Sequence, residues 1–499
     1  MNTLLNGMKH DMNYGYTENG GIKHNTTHSD LLDMFAMGGS MRNRSDEDVI
    51  LMFKKAYQEN PEYALKCLFY LRNCRGGAGE RRFFRVVIRW LADESPDAII
   101  RNMEFIPLFG RWDDLYSLVG TQVEPIMFDM MRNQFELDMD CRTPSLLGKW
   151  LKSENCSSRE SKRLASKTRL AFGLTPRDYR KDLSMLRARI HIVETLMSQN
   201  RWDEIEFDKL PSKAGLKYKN AFARNEITAE RYRAFMSNKN TKVNAGTLNP
   251  VDIAGQIFNR YGRPDSIERQ VWQKYWDALP DYYHGREEPG IAVVDVSGSM
   301  TGTPMNAAVS MGAYIAERGK GPFHNHFITF SGNPELVEFQ GVDIYDKFIR
   351  ARNADWGGNT NIEAVFNLLL NTARKYHTKP EDMPKTIYIF SDMEFDACMT
   401  YGAIDTNRWS YSSRNGINAH NIDTVIEAQM RKWKQFGYEV PRVIFWNLDA
   451  RTPNIPALDG PFSYVSGFSM AALEGVLSGK NGYDMMMEIL NNVIYKDIK

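Results

Sequence analysis

The sequence predicts a multidomain protein with two folds: an N-terminal all-α module and a C-terminal α/β domain with a doubly wound, Rossmann-like sheet. Helical patterning recurs over about residues 31–240 with a break roughly every 20 residues, and strand-like alternation is nearly absent there. From about residue 290, short apolar runs typical of buried strands alternate with helical patterns, as in parallel sheets. We therefore predict domains over 31–282 and 283–499, preceded by a flexible arm over 1–30.

The N-terminal arm and the helical module differ in composition. Residues 1–30 are rich in Asn, Gly, His and Thr and lack an apolar core, so they are not typical of a signal peptide. In the helical module, Asn60-Pro61 ends one helical pattern and begins the next. This rhythm of helix, short break and helix predicts an array of stacked helix pairs, HEAT-like in kind.

The α/β domain begins with the apolar run Ile291-Ala-Val-Val294, which leads into Asp295 and then, at alternate positions, Ser297 and Ser299. Polar residues after a buried parallel strand fall at the edge of the sheet where open α/β sheets bind ligands. One carboxylate and two hydroxyls suit Mg²⁺, Ca²⁺ or Mn²⁺ rather than zinc. The alternative is an ordinary strand-to-helix turn, in which Asp and Ser cap the helix.

This Asp-x-Ser-x-Ser pattern resembles the metal-ion-dependent adhesion site of von Willebrand factor A domains. Two further pieces follow in the family's order: Gly357-Gly-Asn-Thr-Asn361, which offers Thr360, and Ile387-Tyr-Ile-Phe-Ser-Asp392. The resemblance implies one divalent cation, in the first place Mg²⁺, with Ca²⁺ or Mn²⁺ as alternatives. It also implies an open position for an acidic side chain of a partner protein. The implied ligands are Asp295, Ser297, Ser299, Thr360 and Asp392.

Two motifs in the helical module carry a second resemblance. Arg75-Gly-Gly-Ala-Gly-Glu80 and Gly110-Arg-Trp-Asp-Asp-Leu115, followed by an A domain, resemble the TROVE module of Ro-type ribonucleoproteins. They are closer to an uncharacterised family of that architecture in phages, bacteria and plants. The resemblance implies a helical ring that binds structured or single-stranded RNA, and a phage origin. From the residues alone, the glycine-rich turn is not a P-loop, since no Lys-Ser/Thr follows it. It is either a plain turn or one whose arginines contact phosphate.

Charge is concentrated in one segment. Residues 142–242 hold 23 Lys and Arg against 11 Asp and Glu, a local excess of +12 in a chain whose net charge is +1. Cations neutralise phosphates and aromatic rings stack on bases, so the segment predicts nucleic-acid binding. The alternative is a set of solvated helix faces. The predicted nucleic-acid-binding residues of the chain are Arg75, Arg81, Arg82, Arg111, Lys162, Arg163, Lys167, Arg169, Lys213, Lys217 and Lys219.

Composition and motifs limit the function class. The chain has no Gly-x-Ser-x-Gly, His-Glu-x-x-His, P-loop or Rossmann glycine motif. Two-metal hydrolysis at Asp295 and Asp392 is disfavoured, because no general base is nearby. Five cysteines without a CxxC pair predict reduced thiols and a cytoplasmic location, the host cytoplasm for a viral protein. No apolar run approaches the roughly 18 residues of a membrane span.

We therefore expect a non-enzymatic RNA-binding scaffold with a metal-dependent, partner-binding A domain. The alternative is a metal-dependent scaffold for protein–protein interaction that binds no nucleic acid. The polar and aromatic segment over 397–418 is predicted to be an insertion on the metal face, where a partner could contact it.

Overall fold

The structure, a computed structural model, describes residues 12–330, 333–352, 360–396, 424–458 and 460–499. The chain divides into two compact units, each assembled from three segments. The sheet unit comprises Met1–Ser45, Asn249–Arg263 and Leu279–Asn491. The helical unit comprises Asp46–Leu248, Pro264–Ala278 and Asn492–Lys499. The predicted insertion over 397–418 lies outside the described residues.

All the described strands belong to the sheet unit. They are β1 (Tyr14–Tyr16), β2 (Ile22–His24), β3 (Gly290–Asp295), β4 (His326–Phe330), β5 (Leu336–Glu338), β6 (Thr386–Ser391), β7 (Arg442–Asn447) and β8 (Phe462–Ser466).

The described α-helices are numbered along the chain through both units. They are α1 (Asp30–Met37), α2 (Asp46–Glu59), α3 (Pro61–Arg72), α4 (Arg82–Glu94), α5 (Pro96–Asn102), α6 (Phe105–Phe109), α7 (Glu124–Asp140), α8 (Leu147–Trp150), α9 (Arg159–Ala171), α10 (Pro176–Arg189), α11 (Val193–Ser198), α12 (Ser212–Arg224), α13 (Ala229–Ser237), α14 (Pro250–Phe258), α15 (Ser266–Asp277), α16 (Thr303–Arg318), α17 (Ile344–Arg352), α18 (Ile362–Lys375), α19 (Val425–Gln435), α20 (Leu473–Val476) and α21 (Gly482–Leu490).

The main sheet has six strands in the order β5-β4-β3-β6-β7-β8. Neighbours run parallel except β4 and β5, which pair antiparallel at one edge. Counted from β3, this is the 3-2-1-4-5-6 order of doubly wound sheets. Every residue of β6 is buried, as expected of a central parallel strand covered on both faces. The combination of a mostly helical N-terminal region and a C-terminal α/β sheet is thereby confirmed.

The order of strands reverses between β3 and β6, which lie side by side with Val293 opposite Ile389. At such a switch point the connections leave in opposite directions and open a crevice outside the carboxyl ends of the strands. The end of β3 is Asp295, and Asp392 follows directly after β6. The topology therefore places both predicted carboxylates at this crevice.

The structure differs from the predicted flexible arm over the described part of residues 1–30. Strands β1 and β2 form an antiparallel hairpin within the sheet unit, and His24, the last residue of β2, is fully buried. Helix α1 packs against β8, where the backbone N–H of Gly39 donates to the Ser466 hydroxyl at 2.9 Å. The composition of residues 1–30 did not predict this hairpin, because backbone hydrogen bonds and polar contacts hold it in place. The prediction of a flexible arm relied on the lack of an apolar core.

The predicted boundary at residues 282–283 also differs from the division in the structure. Helix α14 belongs to the sheet unit, where it packs against α16, although it precedes that boundary by more than 20 residues. Residues 492–499 belong instead to the helical unit. Sequence order alone does not reveal such exchanges, because each of these segments is ordinary in composition.

Within the helical unit, helices near in sequence pack together: α2 with α3 and α4, α7 with α8 and α9. Phe69 packs edge-on against Phe84 and Phe109 in the first of these clusters. Tyr495, from the last segment of the unit, stacks on Phe109 with ring centroids 5.2 Å apart and accepts a hydrogen bond from Asn73 at 2.9 Å. The HEAT-like repeat and its closure into a ring stay predictions.

Two helical glycines of the sheet unit give a test of its packing. A Cβ on Gly312 of α16 would lie 2.3 Å from Cγ2 of Val294 in β3, whereas a Cβ on Gly255 of α14 would meet nothing within 4 Å. We expect Gly312→Ala to destabilise the protein by about 1–3 kcal/mol through overpacking. Gly255→Ala should stabilise it by up to about 1 kcal/mol, because only helix propensity changes. Denaturant unfolding of both variants checks this, and equal effects would contradict the close packing of α16 on β3.

Candidate metal centre

Asp295 is fixed at the end of β3 by two hydrogen bonds and has no exposed surface. Its Oδ1 accepts the backbone N–H of Ser297 at 2.9 Å, a bond that turns the chain directly after the strand. Its Oδ2 accepts the hydroxyl of Ser391, the last residue of β6, at 2.5 Å. The carboxylate therefore joins the ends of the two central strands on both sides of the switch point.

The two serines of the motif present their hydroxyls together. Ser297 Oγ and Ser299 Oγ lie 2.9 Å apart, and Ser297 is buried. The Ser299 hydroxyl also lies close enough to the carboxylate of Asp392 to lower the pKa of that group. Four of the five predicted ligands, Asp295, Ser297, Ser299 and Asp392, are therefore linked into one cluster.

Asp392 has one carboxylate oxygen without a hydrogen bond. Its Oδ1 accepts the backbone N–H of Glu394 at 3.2 Å, while its buried Oδ2 has no hydrogen-bond partner among the residues that the structure describes. The nearest described positive charge is the guanidinium of Arg451, whose Nη2 lies 3.5 Å from Oδ2. A buried carboxylate oxygen without a donor is costly, so this atom is suited to a cation.

Burial and charge repulsion raise the pKa values of both aspartates. Burial is the main cause for Asp295, and the charge of Asp392 adds to it, so the pKa of Asp295 rises to about 7. Burial also raises the pKa of Asp392, against the opposing hydrogen bond from Ser299. Arg451 is the positive charge beside the two carboxylates, but it also pairs with Glu18 and Asp449, so it offsets only part of the charge that both aspartates carry when ionised.

Thr360, the fifth predicted ligand, is buried and reaches the same loop through Asp396. Its hydroxyl donates to Asp396 Oδ1 at 3.2 Å, and its carbonyl accepts the Asp396 N–H at 3.0 Å. Asn19 Nδ2 donates to the same hydroxyl at 2.7 Å. Residues 357–359 of the Thr360 motif lie outside the described residues.

The donor set fits a hard divalent cation. Its members are two carboxylates and three hydroxyls, which are the oxygen donors that Mg²⁺, Ca²⁺ and Mn²⁺ bind. Among the described residues, no group of three or more His, Cys, Asp or Glu side chains is placed to hold a metal ion. A site here would therefore depend on hydroxyl ligands, as the sequence predicted.

Many of the predicted nucleic-acid-binding residues make contacts within the helical unit. Five of them form ion pairs with carboxylates: Arg82 with Asp46, Arg111 with Asp113, Arg163 with Glu160, Lys167 with Glu124, and Arg169 with Glu154. Arg75 donates to the carbonyl of Leu108 at 2.8 Å, and Lys219 lies over the ring of Trp272. Arg81 stands near Arg111, whose pKa is lowered by burial first and in part by that like charge. Lys162, Lys213 and Lys217 are exposed. Most of the eleven residues are therefore engaged in contacts with neighbouring side chains or carbonyls.

Comparison with known proteins gives the family. A family described as "Domain of unknown function (DUF2828)" matches residues 17–169 and 145–281, which together cover more than half of the chain. The chain belongs to this family. A second description, "Domain of unknown function (DUF7788)", matches residues 289–494, which contain the main sheet and all five predicted ligands.

This chain is also similar to one viral protein and to one solved structure. An uncharacterized protein of Acanthamoeba polyphaga mimivirus is 30% identical over 536 aligned positions, which cover 97% of this chain and 89% of the viral protein. The crystal structure of the Ro protein of Deinococcus radiodurans aligns with 93% of this chain and 99% of its own, at 12% identity and a TM-score of 0.42. Agreement at that level carries no conclusion about function, and the von Willebrand A, phage and RNA assignments stay predictions.

Three residues at the site were missed by the sequence reasoning: Asn19, Glu394 and Arg451. Arg451 lies in the loop after β7, at the same edge of the sheet as Asp295, and donates to the carbonyl of Ser299. Its place shortly after the apolar run Val443-Ile-Phe-Trp446 was a usable signal. Glu394 lies two residues after the quoted motif that ends at Asp392, but Asn19 gave no local signal, since it lies 341 positions from its partner Thr360.

The raised pKa of Asp295 predicts a stability difference that depends on pH. An aspartate titrates near 3.8 in the unfolded chain and this one near 7 in the folded protein, so stability falls as pH rises between these values. In buffer with EDTA, Asp295→Asn should therefore melt higher than the wild type at pH 8, by at least about 2–4 °C. The difference should shrink as the pH falls toward 4. Melting temperatures of both proteins across this range check it, and a constant difference would contradict the raised pKa.

Proposed function

We propose that the sheet unit binds one divalent cation, in the first place Mg²⁺, and through it an acidic group of a protein partner. The observation that carries the proposal is the buried Oδ2 of Asp392, beside the paired hydroxyls of Ser297 and Ser299. This oxygen accepts no hydrogen bond from the described part of the chain, and Arg451 Nη2 lies 3.5 Å from it. Asp295, Ser297, Ser299, Thr360 and Asp392 would hold the cation.

The carboxylates and the hydroxyls have different roles in this proposal. Asp295 and Asp392 supply the negative charge, and the hydroxyls complete an oxygen set without adding charge. The bound cation would supply a positive centre that attracts a carboxylate, and Mg²⁺ keeps waters that such a ligand can replace. Both carboxylates are assigned to the cation in this proposal and neither is left as a general base, so we propose a scaffold and assign the protein no enzymatic reaction.

The divalent cation is tested by thermal unfolding with and without Mg²⁺. At free Mg²⁺ about 100-fold above its dissociation constant, we expect the wild type to gain about 2.7 kcal/mol of stability. Asp392→Asn keeps the shape of the side chain and removes the charge, so it should lose this gain.

The matched control is Thr301→Ala. The Thr301 hydroxyl is in the same loop but bonds to the Gly298 carbonyl, so the variant should respond to Mg²⁺ as the wild type does. Equal responses of Asp392→Asn and the wild type would refute the metal centre.

As a second function we propose RNA binding by the helical unit. The local excess of +12 over residues 142–242 supports it, as do the exposed side chains of Lys162, Arg177 and Lys181. Arg111 lies 4.1 Å above the half-buried ring of Trp150, a pair of the kind on which bases stack. The ion pairs of Arg163, Lys167 and Arg169 argue for a smaller phosphate contact than the sequence predicted.

RNA binding is tested by pairing two triple variants with the same change in charge. The first replaces Lys162, Arg177 and Lys181 by Ala. The control replaces Arg132, Arg201 and Lys209, each of which pairs with a carboxylate three residues away. With a hairpin RNA that carries a single-stranded tail, we expect the salt dependence of log K to flatten by up to roughly 3 in the first variant only.

The outcomes separate the two functions. Equal salt slopes for both variants and the wild type would place any RNA contact elsewhere. If the wild-type full chain does not bind the RNA at low salt, RNA binding is refuted. The alternative, a metal-dependent protein scaffold that binds no nucleic acid, would then be favoured.

A further inference from the structure

The turn of the N-terminal hairpin, residues 17–21, lies against the loop that follows Asp392. It is a tight turn closed by two backbone hydrogen bonds. The Thr17 N–H donates to the Gly21 carbonyl, and the Gly20 N–H donates to the Thr17 carbonyl. Thr17 Oγ1 donates to the Phe395 carbonyl at 2.6 Å. Gly21 approaches the same carbonyl so closely that a Cβ there would lie 2.5 Å from its oxygen. The hairpin therefore meets the edge of the candidate metal centre in close contact.

Glu394 holds the next residue of the turn. Its Oε2 accepts the backbone N–H of Glu18 at 2.8 Å, and its Oε1 accepts the Thr452 hydroxyl at 2.7 Å. Both oxygens of this buried carboxylate are thus satisfied by the turn and by the loop after β7. Glu394 is only two residues from Asp392, so the turn is fixed to the ligand loop itself.

Asn19 makes the direct contact with a predicted ligand. Its Nδ2 donates one hydrogen bond to the Thr360 hydroxyl at 2.7 Å and another to the Glu394 carbonyl at 2.6 Å. The carboxamide nitrogen has two hydrogens, so both are used, and the side chain ties Thr360 to the ligand loop.

These bonds set the orientation of the Thr360 hydroxyl. A hydroxyl has one hydrogen and two lone pairs. The hydrogen is directed to Asp396 Oδ1 at 3.2 Å, and one lone pair accepts from Asn19. Counting the bonds to described residues, one lone pair remains, which is what a metal ligand requires. Without Asn19 the hydroxyl would lose one of these two bonds and could turn about the bond to Asp396.

We propose that Asn19 is a positioning residue of the metal centre, and that docking of the N-terminal turn and binding of the cation stabilise each other. This rests on the metal centre proposed above. Because linkage is reciprocal, a hairpin that orders Thr360 raises the affinity for the cation, and the cation in turn holds the hairpin in place. The chain thereby supplies part of its own site from a segment more than 300 residues away.

The test compares Asn19→Ala with Asn25→Ala by titration calorimetry with Mg²⁺ and with Mn²⁺. Asn25 is an exposed asparagine of the same hairpin whose side chain donates to the Tyr14 carbonyl. Outer-sphere partners of ligands are worth about 10–100-fold in metal affinity, so we expect Asn19→Ala to raise the dissociation constant at least about 10-fold. Asn25→Ala should bind as the wild type does.

A purely structural role of Asn19 gives a different result. It would lower the melting temperature in EDTA and leave the dissociation constant of the folded protein unchanged, and that result would overturn the inference. Absence of cation binding by the wild type would instead refute the metal centre itself, so the two failures are distinct.

Hydrogen exchange of the wild-type chain provides a second measurement that needs no variant. Amides of residues 12–24 should exchange several-fold more slowly with saturating Mg²⁺ than in EDTA, because the cation stabilises the docked turn. If the wild type binds Mg²⁺ and the hydrogen exchange of these amides does not change, the coupling is refuted. This measurement also holds if Asn19→Ala fails to fold.

Discussion

The candidate site depends on the burial of two carboxylates at the ends of adjacent parallel strands. Asp295 is held there by Ser297 and by Ser391, so its position follows from the register of β3 and β6. Asp392 follows β6 directly, and its carboxylate is buried and accepts the backbone N–H of Glu394. The sheet thus forces two like charges together in a dry environment, where each raises the cost of ionising the other. Hydroxyl donors relieve part of this cost, and a divalent cation would relieve the rest.

The local part of this arrangement could be predicted from the sequence, because apolar strands that end in an aspartate are contiguous patterns. Asp295, Ser297, Ser299 and Asp392 meet as expected, and Thr360 joins them through the loop after Asp392. The order of the N-terminal hairpin could not be predicted in this way. Its bonds join residues hundreds of positions apart, and short polar segments carry no periodicity that would reveal a partner.

The helical unit shows why a count of charges predicts binding poorly. The excess of basic residues is real, but Lys167 pairs with Glu124, which lies 43 positions earlier and outside the basic segment. A window along the sequence counts the lysine and omits the glutamate that neutralises it. Exposed ion pairs contribute little to stability, yet each reduces the field that a phosphate would meet. The positive charge left for a phosphate is therefore smaller than the count along the sequence suggests.

The division of the chain has a consequence for its synthesis. The helical unit takes its final segment, with the buried Tyr495, from residues 492–499, after the whole main sheet has been made. Translation proceeds at about 5–20 residues per second, so the early helices wait tens of seconds for the tyrosine that stacks on Phe109. During that interval an apolar surface of the nascent unit stays uncovered. Neither unit can therefore complete its fold until its last segment, which ends at residue 491 or 499, has been made.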